Sequence, residues 1–93
     1  VMPMVLDFNR AAIEDRIKAA AAYLGIAGGF DGFRAKVMEL RAHLGIPANL
    51  TAMGVKPADL DMLTEMALED PSCGGNPVTM TLQNTRALYD ACM

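Results

Sequence analysis

Apolar residues recur along the first part of this chain at the spacing of an α-helix. In residues 9–25 they form one continuous stripe, with charged residues beside it: Ile13, Ile17, Ala20, Ala21 and Leu24. Asn9 is a suitable N-cap for this helix, and Gly25 is a suitable C-terminal stop. The pattern predicts an amphipathic helix that follows an apolar N-terminal segment, residues 1–6.

A second segment repeats the design after a glycine-rich connection. Its apolar residues lie three and four positions apart: Phe33, Val37, Leu40 and Leu44. Asp31 is the predicted N-cap, and Gly45 followed by Pro47 ends the helix. The sequence therefore predicts two consecutive helices in the first half of the chain.

Two further helices are predicted in the second half. Pro57 suits the first turn of the third helix, and Pro71 ends it. Thr79 or Thr81 can cap the fourth helix. The third helix carries two apolar rows, which predicts burial on two sides: Leu60, Leu63 and Ala67 on one row, Met62 and Met66 on the other. The apolar positions of the fourth are Leu82, Leu88, Tyr89 and Cys92.

No segment alternates between apolar and polar residues over a useful length, so no strand is predicted. The expected fold is all-α, a small bundle of about four to five helices in a single domain over residues 1–93. The alanine-rich and methionine-rich composition is typical of helical proteins.

Charge and cysteine content exclude several classes of function. The 8 basic residues are fewer than the 11 acidic ones and are scattered singly, which argues against a nucleic-acid partner. No apolar run reaches the roughly 18 residues of a membrane span. The start of the chain lacks the basic region of a signal peptide. Cys73 and Cys92 form no CxxC pair, so a reduced, cytoplasmic chain is expected.

Candidate catalytic chemistry is sparse. The single histidine, His43, is expected on the surface of the second helix, with no further ligands at metal spacing. The glycine pairs at 28–29 and 74–75 match no phosphate-binding motif. The methionines at 38, 62 and 66 are expected to fill the core. No catalytic, cofactor-binding or metal-binding residue is predicted from the residues alone.

The loop at residues 68–81, "LEDPSCGGNPVTMT", leaves three interpretations. It could present a reactive thiol, cradle a phosphate on backbone N–H groups, or only turn the chain. A phosphate cradle usually follows a strand, and a catalytic thiol needs a nearby base. Neither is visible in the sequence, so a connection between two helices is favoured.

The order of short segments resembles the C-terminal end of the iron-containing (group III) alcohol dehydrogenases. The segments are "VMPMVLDFN" at 1–9, "LGIPANL" at 44–50, "GVKPADL" at 54–60, "ALEDPSCGGNP" at 67–77 and "ALYDACM" at 87–93. Each segment alone is short, but together they cover almost the whole chain in order.

The resemblance implies that this chain is the C-terminal helical part of a larger two-domain enzyme. Such enzymes bind NAD(P) on an N-terminal domain and hold Fe²⁺ or Zn²⁺ with one aspartate and three histidines, and they interconvert alcohols and carbonyls by hydride transfer. The cofactor domain and the metal ligands would precede Val1, and His43 matches none of these ligands. The chain alone is therefore expected to be inactive and to bind neither cofactor.

The resemblance also implies a role for the loop and a set of partners. Ser72, Cys73 and Asn76 are expected at the rim of the pocket for a small alcohol or aldehyde. Several family members have cysteine where Ser72 stands, and family members often have arginine where Val78 stands, so this rim departs from the family pattern. The chain is expected to pack on its own N-terminal domain and, alone, to expose residues 1–6 and self-associate. The alternative is a stand-alone interaction module that receives a partner's amphipathic helix.

Overall fold

The computed structural model describes residues 1–93 as an all-α fold without strands. Its helices are α1 (Met2–Tyr23), α2 (Gly29–His43), α3 (Leu60–Glu69) and α4 (Leu82–Cys92). Short 3₁₀ turns lie at Thr51–Met53, Pro57–Asp59 and Pro71–Gly75. The predicted all-α class and the four main helices are confirmed. None of the helices is both long enough and apolar enough to span a membrane.

The first helix begins earlier than the sequence pattern predicts. Helix α1 starts at Met2, so the apolar N-terminal segment is its first part. Pro3 lies in the first turn, where its missing N–H would have had no partner. The prediction that Asn9 caps this helix is therefore wrong. Asn9 lies in the helix interior and is only 4% exposed.

The second helix also begins before its predicted cap. Gly28 is the N-cap, with a φ of 91° that favours glycine. The prediction of Asp31 as the cap is wrong: this residue lies in the first turn, where its carboxylate accepts a 2.8 Å hydrogen bond from Arg10 Nη1. Asp31 thus pairs with a residue of α1 instead of capping α2, and the local sequence does not reveal this tertiary contact.

The predicted glycine stops of α1 and α2 are confirmed. Gly25 and Gly45 have φ values of 71° and 66°, in the left-handed region. At the end of α1, the N–H of Ile26 donates to the carbonyl of Ala21 at 2.8 Å and the N–H of Gly25 donates to that of Ala22 at 3.1 Å. The N–H groups of Ile46 and Gly45 make the two equivalent bonds at the end of α2. Each helix thus ends in a Schellman motif that turns the chain sharply.

Helices α1 and α2 form one pair. Phe30, one of the largest fully buried side chains, has the guanidinium of Arg10 4.5 Å from its ring centroid. On the same side of the pair, Arg34 Nε donates to Asp7 at 2.6 Å. The ion pairs that Arg10 and Arg34 make between the two helices are partly exposed, so they orient the helix pair more than they stabilise it.

Helices α3 and α4 form a second pair, joined to the first mainly through α1 and α4. Helix α3 ends at Glu69, two residues before Pro71, as predicted. Thr81 caps α4: its hydroxyl accepts from the N–H of Asn84 at 3.2 Å, and Asn84 Oδ1 accepts from the N–H of Thr81. The predicted cap at Thr81 is confirmed.

The interior of the fold is thin. Only 9 of 93 residues are buried, and the accessible surface is 6206 Å². A compact protein of 9.9 kDa would expose about 5,200 Å², so about 1,000 Å² remains uncovered. Met38, Met62 and Met66 are 42%, 55% and 57% exposed, so the prediction that they fill the core is wrong. The second apolar row of α3, Met62 and Met66, is therefore only partly covered within this chain.

Candidate functional site

An open groove of about 700 Å³ lies between the start of α1, the pair α3 and α4, and the loop that joins that pair. Its lining is mainly apolar and includes Val5, Leu63, Met66, Met80, Leu88 and Tyr89. Polar groups enter only from the loop and from the hydroxyl of Tyr89. The groove is therefore an apolar trough with one polar edge.

The loop builds that polar edge through a short local network. Asp70 Oδ1 accepts from the N–H of Ser72 at 2.7 Å, and the N–H of Cys73 donates to the carbonyl of Asp70 at 2.9 Å. The Ser72 N–H bond holds the pKa of Asp70 below its ordinary value, because it stabilises the ionised carboxylate. Ser72 is exposed, while Cys73 and Asn76 are half-buried.

The structure brings the three predicted rim residues together. Ser72, Cys73 and Asn76 all line this one groove, although Ser72 and Asn76 lie at opposite ends of the 3₁₀ turn. The interpretation of the loop as a connection between helices agrees with its position between α3 and α4. That the groove is a substrate pocket stays a prediction.

Asn9 is the site residue that the sequence reasoning missed. Its Nδ2 donates to Asn76 Oδ1 at 2.8 Å, and Asn76 Nδ2 donates back to Asn9 Oδ1 at 3.0 Å. The other N–H of the Asn76 amide reaches the carbonyl of Val78 at 2.7 Å. In the sequence, Asn9 stands three residues after Leu6 and four before Ile13, in line with the apolar stripe. A polar residue on that stripe indicates a buried hydrogen-bond partner.

A second, almost wholly apolar groove of about 470 Å³ continues from the first. It shares the Val5, Leu63, Leu88 and Tyr89 walls and extends to Val1. Within the N-terminal segment, Val1 is 58% exposed while Leu6 is buried. The apolar surface predicted for residues 1–6 is therefore partly the wall of a groove and partly core.

The grooves contain no complete catalytic set. His43 lies exposed in the last turn of α2, away from the groove lining. No three His, Cys, Asp or Glu side chains converge closely enough to hold a metal ion. There is also no strand to carry a nucleotide-binding turn. The residues of this chain alone therefore fit neither a metal site nor a dinucleotide site.

Comparisons with known proteins give the chain its context. The family model described as "Fe-containing alcohol dehydrogenase family, C-terminal" matches residues 1–93. Lactaldehyde reductase of Escherichia coli (strain K12) is 29% identical over 96 aligned residues, which cover 96% of this chain and 25% of that protein. No solved structure matches the chain significantly.

Two further relatives are similar at the same level. Maleylacetate reductase of Rhizobium sp. (strain MTP-10005) is 31% identical over 87% of this chain and 22% of its own length. 1,3-Propanediol dehydrogenase of Citrobacter freundii is 30% identical over 83% of this chain and 22% of its own length. The chain thus spans about a quarter of the length of the curated relatives that it matches.

Proposed function

The chain belongs to the Fe-containing alcohol dehydrogenase family, and on that premise we propose that it is the C-terminal helical part of a metal-dependent, NAD(P)-linked alcohol dehydrogenase or aldehyde reductase. The observation that carries the proposal is the family match over all 93 residues, together with relatives named as reductases and a dehydrogenase. The intact enzyme, a cytoplasmic protein, would interconvert a small alcohol and its carbonyl compound by hydride transfer.

In this proposal the chain supplies part of the substrate pocket and none of the cofactor sites. Ser72, Cys73 and Asn76 form the polar rim of the groove, and the apolar wall excludes water from a small substrate. Fe²⁺ or Zn²⁺ and the nicotinamide cofactor would be held by residues outside the chain, since no ligand set converges within it. The isolated 93 residues are therefore inactive.

The size of the uncovered surface supports the proposal that another domain or chain packs against the groove. The excess of about 1,000 Å² exceeds the roughly 800 Å² per partner that a stable interface buries. In the intact enzyme we expect the N-terminal domain to cover part of this excess surface.

The isolated chain would instead self-associate through its apolar grooves. Light scattering over a range of concentrations tests this, with Val5→Lys as a variant that charges the groove wall. A chain that stays monomeric at millimolar concentration would contradict it.

The proposed activity is tested on the protein encoded by the whole reading frame that contains this chain. Purified with Fe²⁺ or Zn²⁺, it should oxidise NADH or NADPH in the presence of small aldehydes, followed by absorbance. The isolated chain should show no turnover and no micromolar binding of NADH, Fe²⁺ or Zn²⁺ by titration calorimetry. An inactive whole protein, or a chain that binds NADH tightly, would refute the proposal.

The apolar groove also fits a second function, that of a stand-alone module that binds a partner's amphipathic helix. The observation in its favour is the nearly continuous apolar lining from Val1 to Tyr89. The reading frame separates the two functions. About 290 upstream residues with a glycine-rich nucleotide turn, one aspartate and three histidines would support the dehydrogenase, and a start codon next to Val1 would support the module.

A further inference from the structure

We propose that Asn9 is a positioning residue, whose paired hydrogen bonds with Asn76 fix the distance between α1 and the loop and thereby set the width of the groove. We call these two side chains the amide clasp. Its role in substrate recognition rests on the proposed function, but its role in holding the loop does not.

The clasp is a complete, reciprocal pair. Each carboxamide donates one N–H and accepts one, at 2.8 and 3.0 Å, across 67 residues of sequence. Asn9 is almost fully buried, and no buried side-chain nitrogen or oxygen in the structure lacks a partner. Replacing one member therefore leaves the other with polar atoms that have lost their partner, which is costly in a buried place.

The loop has no other hydrogen bond to α1 or α2. Its remaining bonds are local, as from Cys73 N–H to Asp70 and from Asn76 N–H to Cys73, or they reach the ends of α3 and α4. Apart from the two bonds of the clasp, no hydrogen bond joins the first helix pair to α3, α4 or this loop. The position of the loop relative to α1 thus depends on the clasp and on apolar contacts.

The clasp connects the two walls whose separation is the width of the groove. Val5 lies one helical turn before Asn9, so both are on the same face of α1. Val5 lines the groove on the α1 side, and Asn76 lines it on the loop side. Holding Asn76 against Asn9 therefore holds the rim residues Ser72 and Cys73 at a set distance from the Val5 wall.

The two free cysteines provide the test. Cys73 is half-buried on the loop, and Cys92 is buried at the end of α4 and lines neither groove. Alkylation by iodoacetamide, followed by mass spectrometry, measures the opening of each site separately; the purified chain is used at a concentration at which light scattering shows a monomer, so that self-association does not cover Cys73. Asn9→Ala should raise the Cys73 rate on the order of tenfold, as expected for losing a buried pair of hydrogen bonds, while the Cys92 rate stays unchanged.

Four further variants make the result specific. Asn76→Ala should raise the Cys73 rate at least as much as Asn9→Ala, because it also removes the bond to the Val78 carbonyl. The double variant should not exceed Asn76→Ala, because the clasp is already lost there. Asn9→Asp keeps the size of the side chain but places a carboxylate oxygen against Asn76 Oδ1 in a nearly buried position, so it should raise the Cys73 rate at least as much as Asn9→Ala. Since it leaves no cavity, it also decides the test if Asn9→Ala does not fold. Arg34→Ala removes an ion pair between α1 and α2 away from the loop, and it should leave the Cys73 rate unchanged.

An unchanged Cys73 rate in the Asn9 variants, or parallel increases at Cys73 and Cys92, would overturn the proposal. The kinetic consequence is measured on the whole enzyme, where Asn9→Asp should raise KM for a small aldehyde more than it lowers kcat. If the Cys73 rate rises while KM stays constant, the clasp stands and the assignment of the groove as the substrate pocket falls.

Discussion

Replacing Gly32 with alanine should destabilise this protein, although helix propensity alone predicts the opposite. Gly32 is the fourth residue of α2, and alanine in a helix interior is favoured over glycine by about 1 kcal/mol. A Cβ atom at this position would overlap the carbonyl oxygen of Ala27, in the connection between α1 and α2. The two effects therefore compete at one residue.

The magnitudes favour the steric effect. Added atoms in a tightly packed place cost about 1–3 kcal/mol, and occasionally more. Relief would require a movement of backbone between Gly25 and Gly28, whose φ values of 71° and 91° already set a tight turn. Because the overlap is with backbone, the upper part of this range applies, about 2–3 kcal/mol, and subtracting the gain in helix propensity of about 1 kcal/mol leaves a net loss of about 1–2 kcal/mol. For a domain of this size, that corresponds to a fall in Tm of roughly 4–16 °C.

Urea unfolding followed by far-ultraviolet circular dichroism measures the difference. Gly74→Ala is the matched control, because a Cβ there meets no atom within 4 Å and the residue does not have a positive φ. The control should be neutral or up to about 1 kcal/mol more stable than the unsubstituted chain. If Gly32→Ala proves as stable as Gly74→Ala, the close approach to Ala27 does not limit the fold and the reasoning fails.

Two further substitutions test the loop and the cap that follows it. Thr81→Ala should lower the free energy of unfolding by about 1 kcal/mol, because the Asn84 N–H loses its acceptor. Thr81→Ser keeps a hydroxyl and should retain most of this stabilisation. Equal urea midpoints for the unsubstituted chain and both variants would contradict the cap. The pKa of Asp70 is lowered in the folded state. The ionised Asp70 therefore stabilises the fold at pH values above the unfolded pKa of about 3.9, and this stabilisation disappears as the pH falls through the folded pKa. The stability difference between the unsubstituted chain and Asp70→Asn should therefore shrink on acidification below about pH 4, and a difference independent of pH would refute this assignment.

Features decided by neighbouring residues could be predicted from the sequence. The apolar spacing indicated four helices, and the glycine stops, the end before Pro71 and the cap at Thr81 agree with the structure. Each depends on backbone conformation or on hydrogen bonds within a few residues. The local pattern was sufficient because no distant contact competes at these positions.

Features decided by packing could not be predicted in the same way. Asn9 has a side chain suited to an N-cap, but the residues before it are already helical. Its amide instead donates a hydrogen bond to Asn76, 67 positions away. Met62 and Met66 lie on an apolar row that suggested burial, yet more than half of each residue is exposed. For the site, the loop residues Ser72, Cys73 and Asn76 were found from a family resemblance, whereas their tie to α1 needed the structure.

The arrangement in two helix pairs also sets an order of folding. Contacts within each pair join segments close in sequence, which lowers the entropy cost of forming them early. The amide clasp joins α1 to the loop between α3 and α4 and so closes a chain segment of 67 residues. We therefore expect the pairs to form first and the groove to take shape in the final docking step. Clasp substitutions would then accelerate unfolding and leave the refolding rate almost unchanged.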